Sequence, residues 1–422
     1  MSVVRPPSLT ALTALREKLS ARLPIRGTGK PGGGDPRSAS TNPEGPEQSP
    51  VEAASLAGRG QAHTAQARGV RTLGGNLETV LLPRRAADAH DVVIAVEFCG
   101  LCHSDVHAAR GEWGGRALPL VPGHEIVGRV VAVGSEVSLH AVGDRVGVGC
   151  LVASCRECDE CRAGREMFCE VGSVGTYGAW DRFHDERTQG GYSTSVVVAE
   201  DFVLRIPEAL DPAAAAPLLC AGITTYSPLR SAGVGPGSRV AVAGLGGLGH
   251  LAVKIAVAMG AEVSVFTTSP SKVDAALALG ASDVVLSRDP EAMKAQTRHF
   301  DVIIDAIAAA HDLNALLRCL RPTGRLVQVG LPPAEDGAAQ GGAGDTVAPV
   351  DSTLLVRNGL SLHGSKIGGI PETQEMLDFC AEHGVATDIE MVTAHELDAA
   401  WERMVAGDVK YRFVLDAATL TD

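Results

Sequence analysis

Four cysteines, Cys155, Cys158, Cys161 and Cys169, are separated by two, two and seven residues. Thiolates this close together can form a tetrahedral structural zinc site within a single loop. An iron–sulfur site would expect C-x2-C-x2-C-x3-C-P. Here the last gap is seven and Glu170 follows Cys169, so zinc is preferred. A second set is dispersed: Cys102-His103-Ser104-Asp105, Gly123-His124-Glu125 and Cys220. Two thiolates and one imidazole from it would provide the three protein ligands of a catalytic zinc, leaving the fourth position open. Each residue alone is ambiguous. A histidine before a glutamate is more often a packed or surface residue, a cysteine after Leu218-Leu219 is more often core, and Cys99-x2-Cys102 also reads as a redox pair. The third feature is Gly244-Leu245-Gly246-Gly247-Leu248-Gly249, which fits GxGxxG. Such glycines let backbone approach a pyrophosphate, and the N–H groups of a following helix receive it.

The elements around these residues fall into two patterns. From about Ala67 to Leu219, short β-rich runs alternate with glycine turns: Asp91–Glu97, Ile126–Val133, Arg145–Val148 and Ser195–Leu204. Strands without intervening helices predict a compact, mostly antiparallel region. After Gly222, strands at 239–243, 262–266, 283–286, 301–305 and 325–329 alternate with helices at 250–259 and 271–279. That alternation predicts an α/β, doubly wound parallel sheet. The glycine motif lies between its first strand and first helix, the context in which GxGxxG carries meaning. An NAD site expects a carboxylate at the end of the second strand, but that end reads Thr267-Thr268-Ser269-Pro-Ser-Lys272. Hydroxyls and a cation suit a 2′-phosphate, which favours NADP over NAD. Helices at 372–383 and 398–406 and a strand at 411–415 complete the chain.

Composition narrows the function. The 422 residues are 45% apolar, enough for a sizeable core, and carry a formal charge of −13, which argues against nucleic-acid binding. No apolar run is long enough for a membrane span. The ten cysteines are too few and too unevenly spread for a disulfide scaffold. The first 65 residues differ from the rest: six prolines and six glycines occupy the 27 positions from Pro24 to Pro50. They read as a disordered extension. Its basic amphipathic start resembles a targeting peptide, although an arbitrary tail is preferred because of the long Pro/Gly spacer.

Taken together, Cys99-Gly-Leu-Cys102-His103-Ser104-Asp105-Val-His107, Leu120-Val-Pro-Gly123-His124-Glu125, Gly143-Asp-Arg-Val-Gly-Val-Gly-Cys150, the four-cysteine loop and the glycine motif resemble the zinc-dependent medium-chain alcohol dehydrogenases. Glu112-Trp113-Gly, Cys220-Ala-Gly-Ile-Thr-Thr-Tyr226 and Asp408-Val-Lys-Tyr-Arg-Phe413 resemble the cinnamyl-alcohol-dehydrogenase branch, with its broad-range aldehyde reductases. The resemblance implies a β-rich GroES-like catalytic domain (66–221 and 363–422) around a Rossmann domain (222–362). It implies two zinc ions per chain, with Cys102, His124 and Cys220 at the catalytic one and Cys155, Cys158, Cys161 and Cys169 at the structural one. Asp105 would orient the zinc-bound imidazole and Glu125 would lie near the metal. Ser104 and His107 would relay the proton, His103 would lie near the cofactor pyrophosphate, and Trp113 would line the substrate pocket. Thr267, Thr268, Ser269 and Lys272 would hold the 2′-phosphate. The expected activity is interconversion of primary alcohols and aldehydes with NADP(H), mainly aldehyde reduction. Rival readings are an NAD-dependent alcohol or polyol dehydrogenase and a catalytically silent relative. A cytoplasmic homodimer is implied, with organellar targeting left open. Cys99, Cys150, Cys319 and Cys380 are taken as ordinary buried cysteines. The segment 68–89 matches the family poorly, and 334–345 reads as an insertion.

Overall fold

The structure, a computed structural model, describes residues 44–46, 48–331 and 349–421. The expected insertion 334–345 and the first 43 residues of the extension lie outside them. Among the described residues, no helix is long and apolar enough to cross a membrane.

Among the described residues, the first regular structure lies inside the extension expected to run to residue 65. Pro50–Ala57 is a helix. The Ser49 hydroxyl accepts the Glu52 N–H at 3.2 Å, and Pro50 occupies the first helical position, where no N–H is needed. Ala57 then packs against Val93 and Ala132. The proline that made the segment look structureless is the residue that starts the helix. Next, His63–Val70 pairs antiparallel with Leu77–Arg84, so the poorly matching segment 68–89 is largely a hairpin.

The main sheet of this half runs in the order Leu204–Arg205, Arg145–Val148, Ile126–Val133, Asp91–Gly100, Arg412–Asp416, Ile389–Val392, with Ser195–Ala199 also pairing with Asp91–Gly100. Its pairs are antiparallel except that of Ile389–Val392 with Arg412–Asp416. The expected run 195–204 is broken by a turn at Glu200–Phe202. The end of the chain therefore returns to the sheet on which the first metal motif begins.

The second half is a six-stranded sheet in the order Asp283–Leu286, Glu262–Thr267, Arg239–Ala243, Phe300–Asp305, Leu320–Gln328, Ser361–Gly364. Every pairing in it is parallel. Strand order reverses between Arg239–Ala243 and Phe300–Asp305, and the crevice outside the strand ends at such a point is where ligands bind. Its last strand runs to Gly364. The helix Ile370–His383, expected with the catalytic part, buries Met376, Leu377 and Cys380 in the same core as Val240, Val242, Val263 and Val265.

Candidate active site

Cys102 follows the strand Asp91–Gly100 and caps the helix His103–Arg110. Its N–H donates to the Asp105 carboxylate at 2.9 Å, which fixes the turn. Asp105 is fully buried, and four groups converge on it. Oδ1 accepts the Gly123 N–H at 3.2 Å and faces His124 Nδ1 at 3.1 Å. Oδ2 also accepts the Tyr192 hydroxyl at 3.2 Å, and that oxygen accepts Trp401 Nε1–H at 3.4 Å. A carboxylate facing Nδ1 makes that nitrogen the donor, so Nε2 keeps its lone pair. Cys220 follows the tight turn Ala216–Leu219 and precedes the helix Ala221–Ser231. The ligand atoms of Cys102, His124, Glu125 and Cys220 all lie within 4.8 Å of one another.

The electrostatics suit a cation at that point. Hydrogen bonding from Cys220 holds the Cys102 thiol well below the usual thiol range. Burial pushes the Glu125 carboxyl up to about 8, even though Arg412 lies against it. Glu125 Oε2 is buried and has no hydrogen-bond partner. Two sulfurs, an imidazole nitrogen and a carboxylate oxygen gathered within 4.8 Å of one another form a donor set that zinc fits.

The four-cysteine loop gathers in the same way, with all four sulfurs within 4.8 Å of one another. The Cys169 sulfur accepts the Cys155 N–H at 3.4 Å, and the Cys155 sulfur accepts the Cys158 N–H at 3.4 Å. The Cys158 sulfur accepts the Glu170 N–H at 3.5 Å. Backbone donors aimed at sulfur favour the thiolate, the form that binds metal.

The glycine motif lies at the strand-order reversal, between Arg239–Ala243 and the helix Gly249–Ala258. The Lys272 ammonium donates to the Leu245 carbonyl at 2.8 Å, so the end of the second strand folds over the glycine loop. Thr268 is exposed there and Ser269 half-buried. Thr267 is buried, and its hydroxyl accepts the Ser269 N–H at 3.2 Å. That bond shapes the turn.

The sequence matches the family described as alcohol dehydrogenase GroES-like domain over residues 88–208 and that described as zinc-binding dehydrogenase over residues 247–382. The NADP-dependent alcohol dehydrogenase C 1 of Mycolicibacterium smegmatis is 52% identical over 345 residues, covering 82% of this chain and 95% of that protein. Aldehyde reductase YahK of Escherichia coli is 50% identical over 347 residues, covering 82% and 96%. Among solved structures, a cinnamyl alcohol dehydrogenase from Sorghum bicolor superimposes with a TM-score of 0.79 at 42% identity, over 84% of this chain and 98% of that one. The Helicobacter pylori enzyme complexed with NADP(H) gives 0.78 at 38% identity, over 85% and 99%. The chain belongs to the zinc-binding alcohol dehydrogenases.

In this dehydrogenase, Ser104 and His107 lie on one helix just past Cys102. The Ser104 hydroxyl is 3.6 Å from the Cys102 sulfur. His107 Nδ1 bonds the Glu112 carboxylate, and the His107 ring lies 4.9 Å from that of Trp113. Nδ1 is thus the donor, and Nε2 is left to accept a proton. His103 starts the same helix and is exposed.

Two residues given no role from sequence belong to the site. Arg412 Nη2 donates to Glu125 and, at 2.8 Å, to the Leu101 carbonyl. A Cβ placed on Gly247 would stand 2.9 Å from Arg412 Cδ, so this one side chain touches both the metal cluster and the glycine loop. The available signal was a lone arginine inside the apolar run Phe413-Val414-Leu415 and Tyr411. Cys150, taken as an ordinary buried cysteine, lies beside Cys220, whose hydrogen bond holds its thiol below the usual range.

Proposed function

We propose that the protein is an NADP(H)-dependent zinc alcohol dehydrogenase that interconverts primary alcohols and aldehydes and works mainly as an aldehyde reductase. The convergence of Cys102, His124 and Cys220 in front of a buried Asp105 is the observation that carries the reading. Two zinc ions per chain are assigned, one to these three ligands and one to Cys155, Cys158, Cys161 and Cys169. The relatives' names supply the substrate class and the NADP preference.

Zinc, when bound, polarises a carbonyl oxygen as a Lewis acid, and NADPH supplies the hydride. The chain's own residues do the rest. Asp105 holds His124 in the ligating tautomer and in place. Ser104 holds a proton for the product oxygen at its hydroxyl, and His107, through Nε2, replenishes it from solvent. Glu112 keeps His107 oriented for that exchange. Glu125, held by Arg412 at the edge of the cluster, is poised to offer its free oxygen. His103 neighbours the cofactor pyrophosphate and Trp113 lines the substrate cleft. Gly244, Gly246, Gly247, Leu248 and Gly249 receive the pyrophosphate at the helix start. Thr268, Ser269 and Lys272 bind the 2′-phosphate, with Thr267 behind them. A homodimer is assigned by family analogy.

The test is zinc analysis alongside a panel of aldehydes and alcohols with NADPH and NADH. Two zinc ions per chain and NADPH-dependent aldehyde reduction are expected. Activity with NADH alone, or a chain with a single zinc, would overturn the assignment.

A further inference from the structure

The strand Phe300–Asp305 faces the glycine loop across the point where strand order reverses. Asp305 pairs in register with Ala243, the residue before Gly244, and the Ala306 N–H donates to the Ala243 carbonyl at 2.9 Å. The turn 306–312 after this strand is therefore a wall of the dinucleotide crevice. It packs directly on the glycine loop: a Cβ on Gly244 would lie 3.2 Å from Ile307 Cγ1. Asp305 is 1% exposed. Its Oδ1 accepts the Ile307 N–H at 3.2 Å, and its Oδ2 faces His311 Nε2 at 2.9 Å. The other nitrogen of the same ring, Nδ1, faces the Ala309 carbonyl at 2.8 Å.

Both nitrogens of His311 thus meet an oxygen acceptor. A neutral imidazole has only one N–H and can satisfy one of the two; the imidazolium has two and satisfies both. We propose that His311 is a positioning residue for the dinucleotide: as a doubly protonated ring it ties the turn 306–312 back to Asp305 and so fixes the crevice wall opposite the glycine loop. Loss of one proton releases either the Ala309 carbonyl or the Asp305 carboxylate, and the turn loosens. The groups around the ring agree with this. The Asp305 hydrogen bond holds His311 above the usual imidazole range, and Asp312 adds to it. Arg318, 3.9 Å from Asp312, is the facing cation. Among the described residues, the segments 244–248 and 328–331 that pack on the turn carry no titratable side chain.

The inference rests on the reading of this crevice as the NADP(H) site. NADPH dissociation constants are measured by cofactor fluorescence from pH 6 to pH 9 on the intact, zinc-loaded enzyme, its H311Q variant and its H311K variant. Comparison with the variants cancels the ionisation of the cofactor phosphate. The wild type is expected to weaken by on the order of tenfold more than H311Q across this range, the worth of one charge-assisted hydrogen bond. H311K, with three donors that stay charged, is expected to bind at pH 9 more tightly than the wild type does there. Parallel curves for the three proteins would overturn the proposal. Should H311Q not fold, H311K against wild type still decides. Failure of every protein, wild type included, to bind NADPH would instead refute the cofactor reading itself.

Discussion

Alanine at Gly249 and at Gly246 separates two jobs that the glycine motif performs. At Gly249 a Cβ would overlap the Gly244 carbonyl oxygen and lie 3.0 Å from its carbon, with Val242 Cγ1 at 3.6 Å beyond. A carbon approaches a carbonyl oxygen to about 3.3–3.6 Å at closest comfort, so the helix Gly249–Ala258 must withdraw by on the order of 1 Å. The obstacle does not yield easily, because Gly244 meets the added carbon with its backbone. Overpacking of this kind costs about 1–3 kcal/mol of stability. The helix start also moves away from the pyrophosphate, and a displacement near 1 Å at a positioning group costs on the order of a hundredfold, or about 2.7 kcal/mol. At Gly246 a Cβ meets nothing within 4 Å and the residue is exposed. Gly246→Ala is expected to leave the melting temperature of the free enzyme unchanged, and yet to weaken NADPH because the methyl stands where backbone and pyrophosphate meet. Differential scanning calorimetry and NADPH fluorescence titration on both variants give the four numbers required. A Gly249→Ala protein with wild-type stability would refute the packing argument. A Gly246→Ala protein with wild-type affinity would refute the placement of the pyrophosphate.

Three further substitutions probe the other parts. Cys220→Ala is expected to abolish activity and halve the zinc content with the fold intact by circular dichroism, whereas Cys158→Ala should also halve the zinc and lower the melting temperature; a fully active Cys220→Ala enzyme would remove that residue from the ligand set. Lys272→Glu puts a carboxylate where the 2′-phosphate is proposed to sit, so KM for NADPH should rise about tenfold or more while KM for NADH hardly changes; equal effects on both cofactors would exclude the site. Asp91→Asn breaks the buried ion pair with Arg85, whose side chains are 2% and 18% exposed, at a cost of about 3–5 kcal/mol near neutral pH. Burial opposes the Asp91 charge but Arg85 more than offsets this and holds its carboxyl below the usual range. The stabilisation is therefore complete above the ordinary carboxylate range and lost as pH falls through the lowered value, so the gap in melting temperature should close below about pH 4; a gap independent of pH would contradict the pairing.

What could be read in the sequence was whatever a local spacing encodes. The four-cysteine loop, the glycine motif and the alternating strands and helices each declare themselves within a few tens of residues, because a metal, a pyrophosphate and a parallel sheet impose short-range periodicities. Cys102, His124 and Cys220 are far apart in sequence, so their types alone left the set ambiguous and the resemblance singled them out; the structure brings their donor atoms within 4.8 Å. The helix Pro50–Ala57 was hidden because proline and glycine are counted as breakers, whereas Pro50 at a first turn is compatible with a helix. Thr267, expected at the 2′-phosphate from its type, is buried, and its hydroxyl accepts the Ser269 N–H.

Arg412 shows most clearly why some of the site had to wait for the fold. Its strand is the penultimate element of the chain, and nothing in its neighbours names a partner. Only the pairing of Arg412–Asp416 with Asp91–Gly100 sets it beside Leu101 and Glu125. A buried guanidinium with one orphaned nitrogen is costly unless its charge is matched, and Glu125 supplies the match. The same side chain limits the space at Gly247. Anything that shifts the glycine loop against the catalytic sheet must then act on Arg412, and through it on the carboxylate at the zinc ligands. Arg412→Lys keeps the charge but puts a tetrahedral ammonium in place of the planar guanidinium whose Nη2 reaches both Leu101 and Glu125. It should weaken NADPH and slow turnover together, and a variant that changes only one of the two would show that the two ends of this residue act independently.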